Sequence, residues 1–246
     1  MEKIKKTVLI TGSSKGIGLG IAKRFLKENF QVIINSRKNF GKKIYNYKFI
    51  KGDVTKKNDI KKISKIIKKK YKKLDVLVCN VGYSKYTYKE FPSLDELNDS
   101  LNKNFYSCFL ILNELKNLLI KSKSRIVCIS SICGVEVIKN APISYSVSKS
   151  LLNSYLKFIS KSFAKYEVKL NIVSPGNILF KGSTWDKKLK KNKQNTIKYI
   201  KNSVPLKKFG KPEDIADAVF FLSSEKNNFV SGANFILDGG QTSKFI

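Results

Sequence analysis

The chain has 246 residues, 42% of them hydrophobic and 11% aromatic, which is enough to build a sizeable core. No apolar run approaches the ~20 residues a membrane-spanning helix requires. The formal charge is +31, from 49 Lys and Arg against 18 Asp and Glu. Only Arg24, Arg37 and Arg125 are arginines, and lysine, asparagine and isoleucine abound along the whole length. That mixture reads as the nucleotide bias of an AT-rich genome. Specific nucleic-acid binding is therefore set aside in favour of weak, salt-sensitive adhesion to polyanions. There is no histidine, and Cys79, Cys108, Cys128 and Cys133 lack metal-ligand spacing. This argues against a zinc site, so no metal is expected and the thiols read as free in a reducing cytoplasm. Met1 to Lys6 passes straight into strand-like sequence, with no cleavable signal in view.

In chain order, Thr7 to Ile10 is a short apolar run that ends in glycine-rich sequence, as a buried strand does. Ile17 to Glu28 has helical periodicity, with Ile17, Ile21, Ala22 and Phe25 on one face. Val32 to Ile34 is a second strand and Phe49-Ile50 lies in a third. The dozen residues between Arg37 and Phe49 leave little room for a helix, so a loop or single turn is expected there. Ile60 to Tyr71 is helical, with Ile60, Ile63, Ile66 and Ile67 inward and lysines outward. Strands follow at Leu74 to Cys79, Arg125 to Ile129, Leu170 to Val173 and Phe235 to Leu237. Helices are expected from Leu94 to Leu119, Ser144 to Tyr166 and Pro212 to Ser223. Alternating helices with continuously apolar strands predict an α/β domain, with a mostly or fully parallel seven-stranded sheet covered by helices on both faces. No linker or repeat divides it, so residues 1–246 read as one domain. The helix after Tyr145 carries a second apolar stripe, Leu151, Tyr155 and Phe158, beyond the one facing the sheet. That points to a subunit interface, with a loop lying over the stripe as the alternative; taken with the family resemblance given below, it implies a homo-oligomer, a tetramer or a dimer.

Two patterns carry chemistry. Thr11-Gly12-Ser13-Ser14-Lys15-Gly16-Ile17-Gly18 joins the first strand to the first helix. Glycines there allow a tight turn and close approach to a pyrophosphate, which the helix N-terminus also favours. Tyr145 and Lys149 lie four residues apart, on one helical face. A neighbouring ammonium favours phenolate, so Lys149 is expected to lower the pKa of Tyr145 and ready it for proton transfer.

Together with Asn80-Val81-Gly82, Asn104, Ser131 and Pro175-Gly176 at their spacings, these residues resemble the short-chain dehydrogenase/reductase family, almost end to end. The resemblance implies a Rossmann-like, doubly wound fold and a catalytic set of Asn104, Ser131, Tyr145 and Lys149. In it, Tyr145 is the acid/base. Lys149 also holds the nicotinamide ribose, Ser131 steadies the substrate carbonyl, and Asn104 distorts its helix and holds a water. It further implies cofactor contacts from Thr11, Gly12, Ser14, Lys15, Gly16, Ile17 and Gly18. Others would come from Arg37, Asp53, Val54, Asn80, Val81, Gly82, Pro175, Gly176 and Ile178. The stretch Asn35-Ser36-Arg37-Lys38 has no acid to repel a 2′-phosphate, and Arg37 and Lys15 suit one. NADP(H) is therefore preferred to NAD(H).

Phe180 stands where the family often has a threonine that contacts the cofactor. The lid, about 177–205, contains Trp185-Asp186 and then a lysine-dense helix that could attract an acidic substrate. The expected activity is reduction of a carbonyl, or oxidation of a secondary alcohol, with a 3-oxoacyl thioester as one substrate. The arginines that dock a carrier protein in such reductases fall at Ser122 and Tyr166, neither basic. A sugar or nucleotide-sugar dehydrogenase of surface-glycan synthesis is thus a rival. A non-catalytic nucleotide sensor or scaffold is a third reading, disfavoured by the intact Ser131, Tyr145 and Lys149.

Overall fold

The computed structural model describes residues 5–38, 46–83 and 85–244. The loop expected between Arg37 and Phe49 falls largely on residues 39–45, outside the described residues. The strands are β1 (Thr7–Thr11), β2 (Gln31–Ser36), β3 (Lys48–Lys51), β4 (Val76–Cys79), β5 (Arg125–Ile129), β6 (Lys169–Pro175) and β7 (Asn234–Leu237). They form one sheet in the order β3-β2-β1-β4-β5-β6-β7, and every adjacent pair is parallel.

The sheet has two covered faces because its inner strands are apolar at consecutive positions. Side chains alternate across a strand. Leu9, Ile33, Leu77 and Ile126 therefore enter one core, while Val8, Val32, Val76 and Val127 enter the other. Helices α2 (Lys57–Tyr71), α4 (Ser107–Ser122) and α5 (Ile143–Ala164) supply Ile63, Leu115 and Leu156 to the first core. Helices α1 (Gly16–Lys27) and α8 (Pro212–Ser223) supply Phe25 and Val219 to the second. The edge strands β3 and β7 are less buried, since each lacks a neighbour on one side.

Two expected helices are divided. The long helix from Leu94 comprises α3 (Leu94–Leu101), a π-helical turn over Asn102–Tyr106, and α4. The single lysine-dense lid helix is instead α6 (Thr184–Lys191) and α7 (Lys193–Ser203). Asn192 makes the break: its extended backbone ends α6, and its side chain accepts from the Asn195 N–H to cap α7. No helix among the described residues is long and apolar enough to cross a membrane.

Strand order reverses direction between β1 and β4. In an open parallel sheet that point leaves a crevice beyond the carboxyl ends of the strands, where ligands bind. The glycine loop follows β1 and Asn80-Val81-Gly82 follows β4, so the topology brings the sequence motifs to one crevice.

Candidate active site

The phosphate cradle begins at the N-terminus of α1. No side chain caps that helix, which leaves its first N–H groups available, whereas α3, α6 and α7 are capped by Ser93, Ser183 and Asn192. Asn80 holds the loop from the next strand: its Nδ2 donates to the carbonyls of Thr11 and Gly12, both at 3.0 Å. The Asn80 N–H donates to Thr11 Oγ1 at 3.0 Å. A Cβ at Gly18 would stand 2.5 Å from that Asn80 amide. Ser14 is half-buried and Lys15 exposed, while Ile17 and Val81 lean on the two cores.

Gly16 takes a positive φ of 57°, and a Cβ there would lie 2.5 Å from two ring carbons of Phe180. The residue that departs from the family pattern therefore packs against the loop that would receive the pyrophosphate. This cradle of uncapped N–H groups and side-chain-free glycines fits a dinucleotide, with one wall formed by Phe180.

At the end of β2, Arg37 is exposed and makes no hydrogen bond or ion pair among the described residues. Asn35, by contrast, is structural: its Nδ2 donates to the carbonyls of Ile50 and Gly52 at 3.0 and 3.2 Å. The Asp53 carboxylate accepts from the Thr55 N–H and hydroxyl, and Val54 is buried in the first core. Pro175 ends β6 and Gly176 follows it, and Ile178 bridges to Gly210 beside them.

The four catalytic candidates converge. Ser131 lies just beyond β5 and caps the short 3₁₀ turn Ile132–Gly134, its Oγ accepting from the Cys133 N–H at 3.2 Å. That turn rests directly on α5: a Cβ at Gly134 would lie 2.6 Å from the Lys149 carbonyl carbon. Asn153 and Ser150 also donate to the Gly134 carbonyl, at 2.9 and 3.3 Å. This clamp brings the Ser131 hydroxyl near enough to the Tyr145 phenol to favour its ionised form. Gly134 and Asn153 were not singled out from sequence. The only signal was a glycine three residues after Ser131, which became meaningful once α5 was known to lie beside it.

Lys149 is buried, its Nζ donating to the Ile129 carbonyl at 3.0 Å and lying 5.9 Å from the centre of the Tyr145 ring. A Cβ at Gly82 would approach Lys149 Nζ to 2.9 Å and Asn104 Oδ1 to 3.1 Å, so these two polar groups flank one glycine. Asn104 is fully buried within the π turn. Its Nδ2 donates to the Ser100 and Tyr83 carbonyls at 2.9 and 3.2 Å, and its Oδ1 accepts from the Tyr83 N–H at 2.9 Å.

The electrostatics correct one expectation. The Tyr145 pKa is raised, not lowered: burial disfavours the phenolate, Cys133 adds to the effect, and the Ser131 hydroxyl opposes it. Burial also lowers Lys149 to about 8, opposed by the nearby thiols of Cys108, Cys128 and Cys133. A cation so weakened by desolvation is a poor device for ionising its neighbour in the cofactor-free chain.

The thiols hold another finding that linear spacing hid. Cys79, Cys108 and Cys128 arrive from β4, α4 and β5, with their sulfurs all within 4.8 Å of one another. Cys108 and Cys128 are 3.6 Å apart. All four cysteines are free.

Comparison with known proteins gives these features a family. A family model described as enoyl-(acyl carrier protein) reductase matches residues 12–242. The chain is 32% identical to a 3-oxoacyl-[acyl-carrier-protein] reductase, FabG, of Buchnera aphidicola, over 96% of this chain and 97% of the relative. It is 30% identical to glucose 1-dehydrogenase 2 of Bacillus subtilis, over 96% and 95%. Among solved structures, ElxO with NADP bound superposes with a TM-score of 0.88 at 31% identity, covering 97% of this chain and 99% of that one. A Leptospira borgpetersenii short-chain dehydrogenase with bound NAD⁺ gives 0.87 at 28%, covering 97% and 93%. The chain belongs to the short-chain dehydrogenase/reductase family, whose members are oxidoreductases that use a nicotinamide cofactor.

Proposed function

We propose that this protein is an NADP(H)-dependent oxidoreductase that interconverts a carbonyl and a secondary alcohol. The observation that carries this reading is the meeting of Ser131, Tyr145 and Lys149, set together by the Gly134 clamp. Thr11 to Gly18 and Asn80 to Gly82 would hold the pyrophosphate end and the adjoining ribose, Pro175 to Ile178 the nicotinamide amide, and Asp53 and Val54 the adenine. Arg37 and Lys15 would receive the 2′-phosphate; both are exposed, and no acid stands at the end of β2. The nicotinamide supplies the hydride.

In the reducing direction, Tyr145 donates its phenolic proton to the carbonyl oxygen as charge develops there. Ser131 donates a hydrogen bond to the same oxygen. A raised pKa keeps the phenol protonated and ready for this step. Lys149 holds the ribose and refills the tyrosine's proton, and Asn104 positions a water behind it.

A 3-oxoacyl thioester is the first substrate to test, given the likeness to FabG. A sugar is the second, favoured by one specific observation. Ser122 is buried and accepts from the Leu74 N–H at 3.1 Å, so it presents nothing to a carrier protein. We read residues 1–246 as one domain with its lid at 177–205, placed in the cytoplasm and assembled as a homo-oligomer.

The test is NADPH oxidation with a short 3-oxoacyl thioester, and separately NADP⁺ reduction with aldohexoses. Tyr145→Phe should reduce turnover by about 10²–10⁴-fold while NADPH still binds. Unchanged turnover in that variant would refute the assignment of the proton donor. Faster turnover with NADH than with NADPH would refute the cofactor preference.

A further inference from the structure

A cavity of about 270 Å³ opens at the opposite end of the sheet, where β1, β4 and β5 begin. Arg125, the first residue of β5, lines it, as does Ser223 at the end of α8. Both leave a buried polar atom without a partner, the guanidinium Nε of Arg125 and the Oγ of Ser223. The Ser223 residue is only 3% exposed. Buried donors are ordinarily satisfied, so two orphans on one cavity call for an explanation.

The charges around them point the same way. The cavity's lysines each have a carboxylate. Lys73 pairs with Asp75 at 2.8 Å, Lys123 with Glu167 at 2.8 Å, and Lys6 with Glu225. Arg125 has none among the described residues. Its register partner on β6 is Lys169, another cation, and like charges opposed across neighbouring strands repel. Burial and the proximity of Arg125 lower the Lys169 pKa, and Glu167 opposes them. Asp75 and Glu225 also line the cavity, but their lysine partners neutralise them. Orphaned donors, and an Arg125 guanidinium that no carboxylate pairs with among the described residues, together describe a place shaped for negative charge.

We propose that this basal cavity is an anion site that takes a phosphate-class oxyanion on the Arg125 guanidinium and the Ser223 hydroxyl. A guanidinium matches tetrahedral oxyanions through paired N–H donors. Bound there, the ion relieves the Arg125–Lys169 repulsion and ties β5 to α8. It lies a strand's length from Ser131 and Tyr145, so it does not depend on the proposed reaction.

The experiment is calorimetric titration of the full chain with inorganic phosphate, at ionic strength held constant with chloride. With excess NADP⁺ present to fill the glycine-loop crevice, saturable binding of one equivalent is expected. Arg125→Gln and Ser223→Ala should each weaken it by about tenfold or more, the loss of one hydrogen bond with a charged group. Arg125→Lys, which keeps the charge but loses the fork, should weaken it less. Circular dichroism confirms that each variant is folded.

NADP⁺, which competes for the glycine loop at the other end, should leave this equivalent intact. Competition by glycerol phosphate would show that a phosphoryl group on a larger molecule also enters. Binding of inorganic phosphate alone would show a site closed around the free ion. No saturable binding, equal binding by Arg125→Gln, or loss of the equivalent when NADP⁺ is added would overturn the proposal.

Discussion

Lys149 shows how much one buried charge can weigh. Its folded-state pKa of about 8 lies below the ordinary lysine value of 10.5. Below pH 8 the ammonium is charged in both the folded and unfolded chain, and its burial opposes folding in full. Between about 8 and 10.5 the unfolded chain binds more protons, so stability rises with pH across that window. Lys149→Met should therefore be more stable than the parent at pH 7, by on the order of 3 kcal/mol, and the gap should shrink towards pH 10. Urea unfolding of both cofactor-free proteins at pH 7, 8.5 and 10 measures it. A gap that ignores pH would mean Lys149 is not desolvated as described. The glycine motif and the Tyr145–Lys149 spacing were legible as residues, since both depend on local chain geometry. The direction of the Tyr145 shift was not, because it comes first from burial, and then from the charge effect of Cys133, neither of which the neighbouring sequence announces.

At the scale of elements, helix α5 shows what a second apolar stripe does. Leu152, Leu156 and Phe163 are buried against the sheet, whereas Val147, Leu151 and Phe158 face outward, Phe158 being 77% exposed. Tyr155 lies between the two, edge-on to Phe105 with centroids 5.4 Å apart. An exposed apolar row on a rigid helix favours a self-complementary contact with a second copy. Leu151→Glu combined with Phe158→Glu should convert the assembly to smaller species by light scattering. A parent chain that is already monomeric at micromolar concentration would end the oligomer reading. The helix itself was readable from its period, as was the parallel sheet from its apolar strands. The lid was misread as one helix because its lysines repeat at helical spacing across Asn192, and the capping asparagine was overlooked.

For the whole molecule, the excess of positive charge sets behaviour without setting fold. Lysines cover the outer faces of α2, α6 and α7, and the charge is diffuse. Retention on immobilised heparin or RNA should be strong at low ionic strength and lost by a few hundred millimolar salt, with no preference among RNA sequences. Sequence-selective binding that survives such salt would restore a nucleic-acid function.

The sequence by itself determined the alternation of strands and helices and placed the glycine loop between the first strand and helix, both from periodicity and short-range spacing. Ser131, Tyr145 and Lys149 were proposed as a set from the family resemblance. Only the tertiary structure decided that Gly134 seats on α5, that Phe180 walls the loop at Gly16, and that three thiols meet beneath the site. Only it placed Arg125, whose Nε has no partner among the described residues, beside Ser223 in a cavity. These are contacts between residues tens of positions apart. They exist because sheet order and helix packing bring distant elements together, and no local pattern along the chain encodes the distance between them.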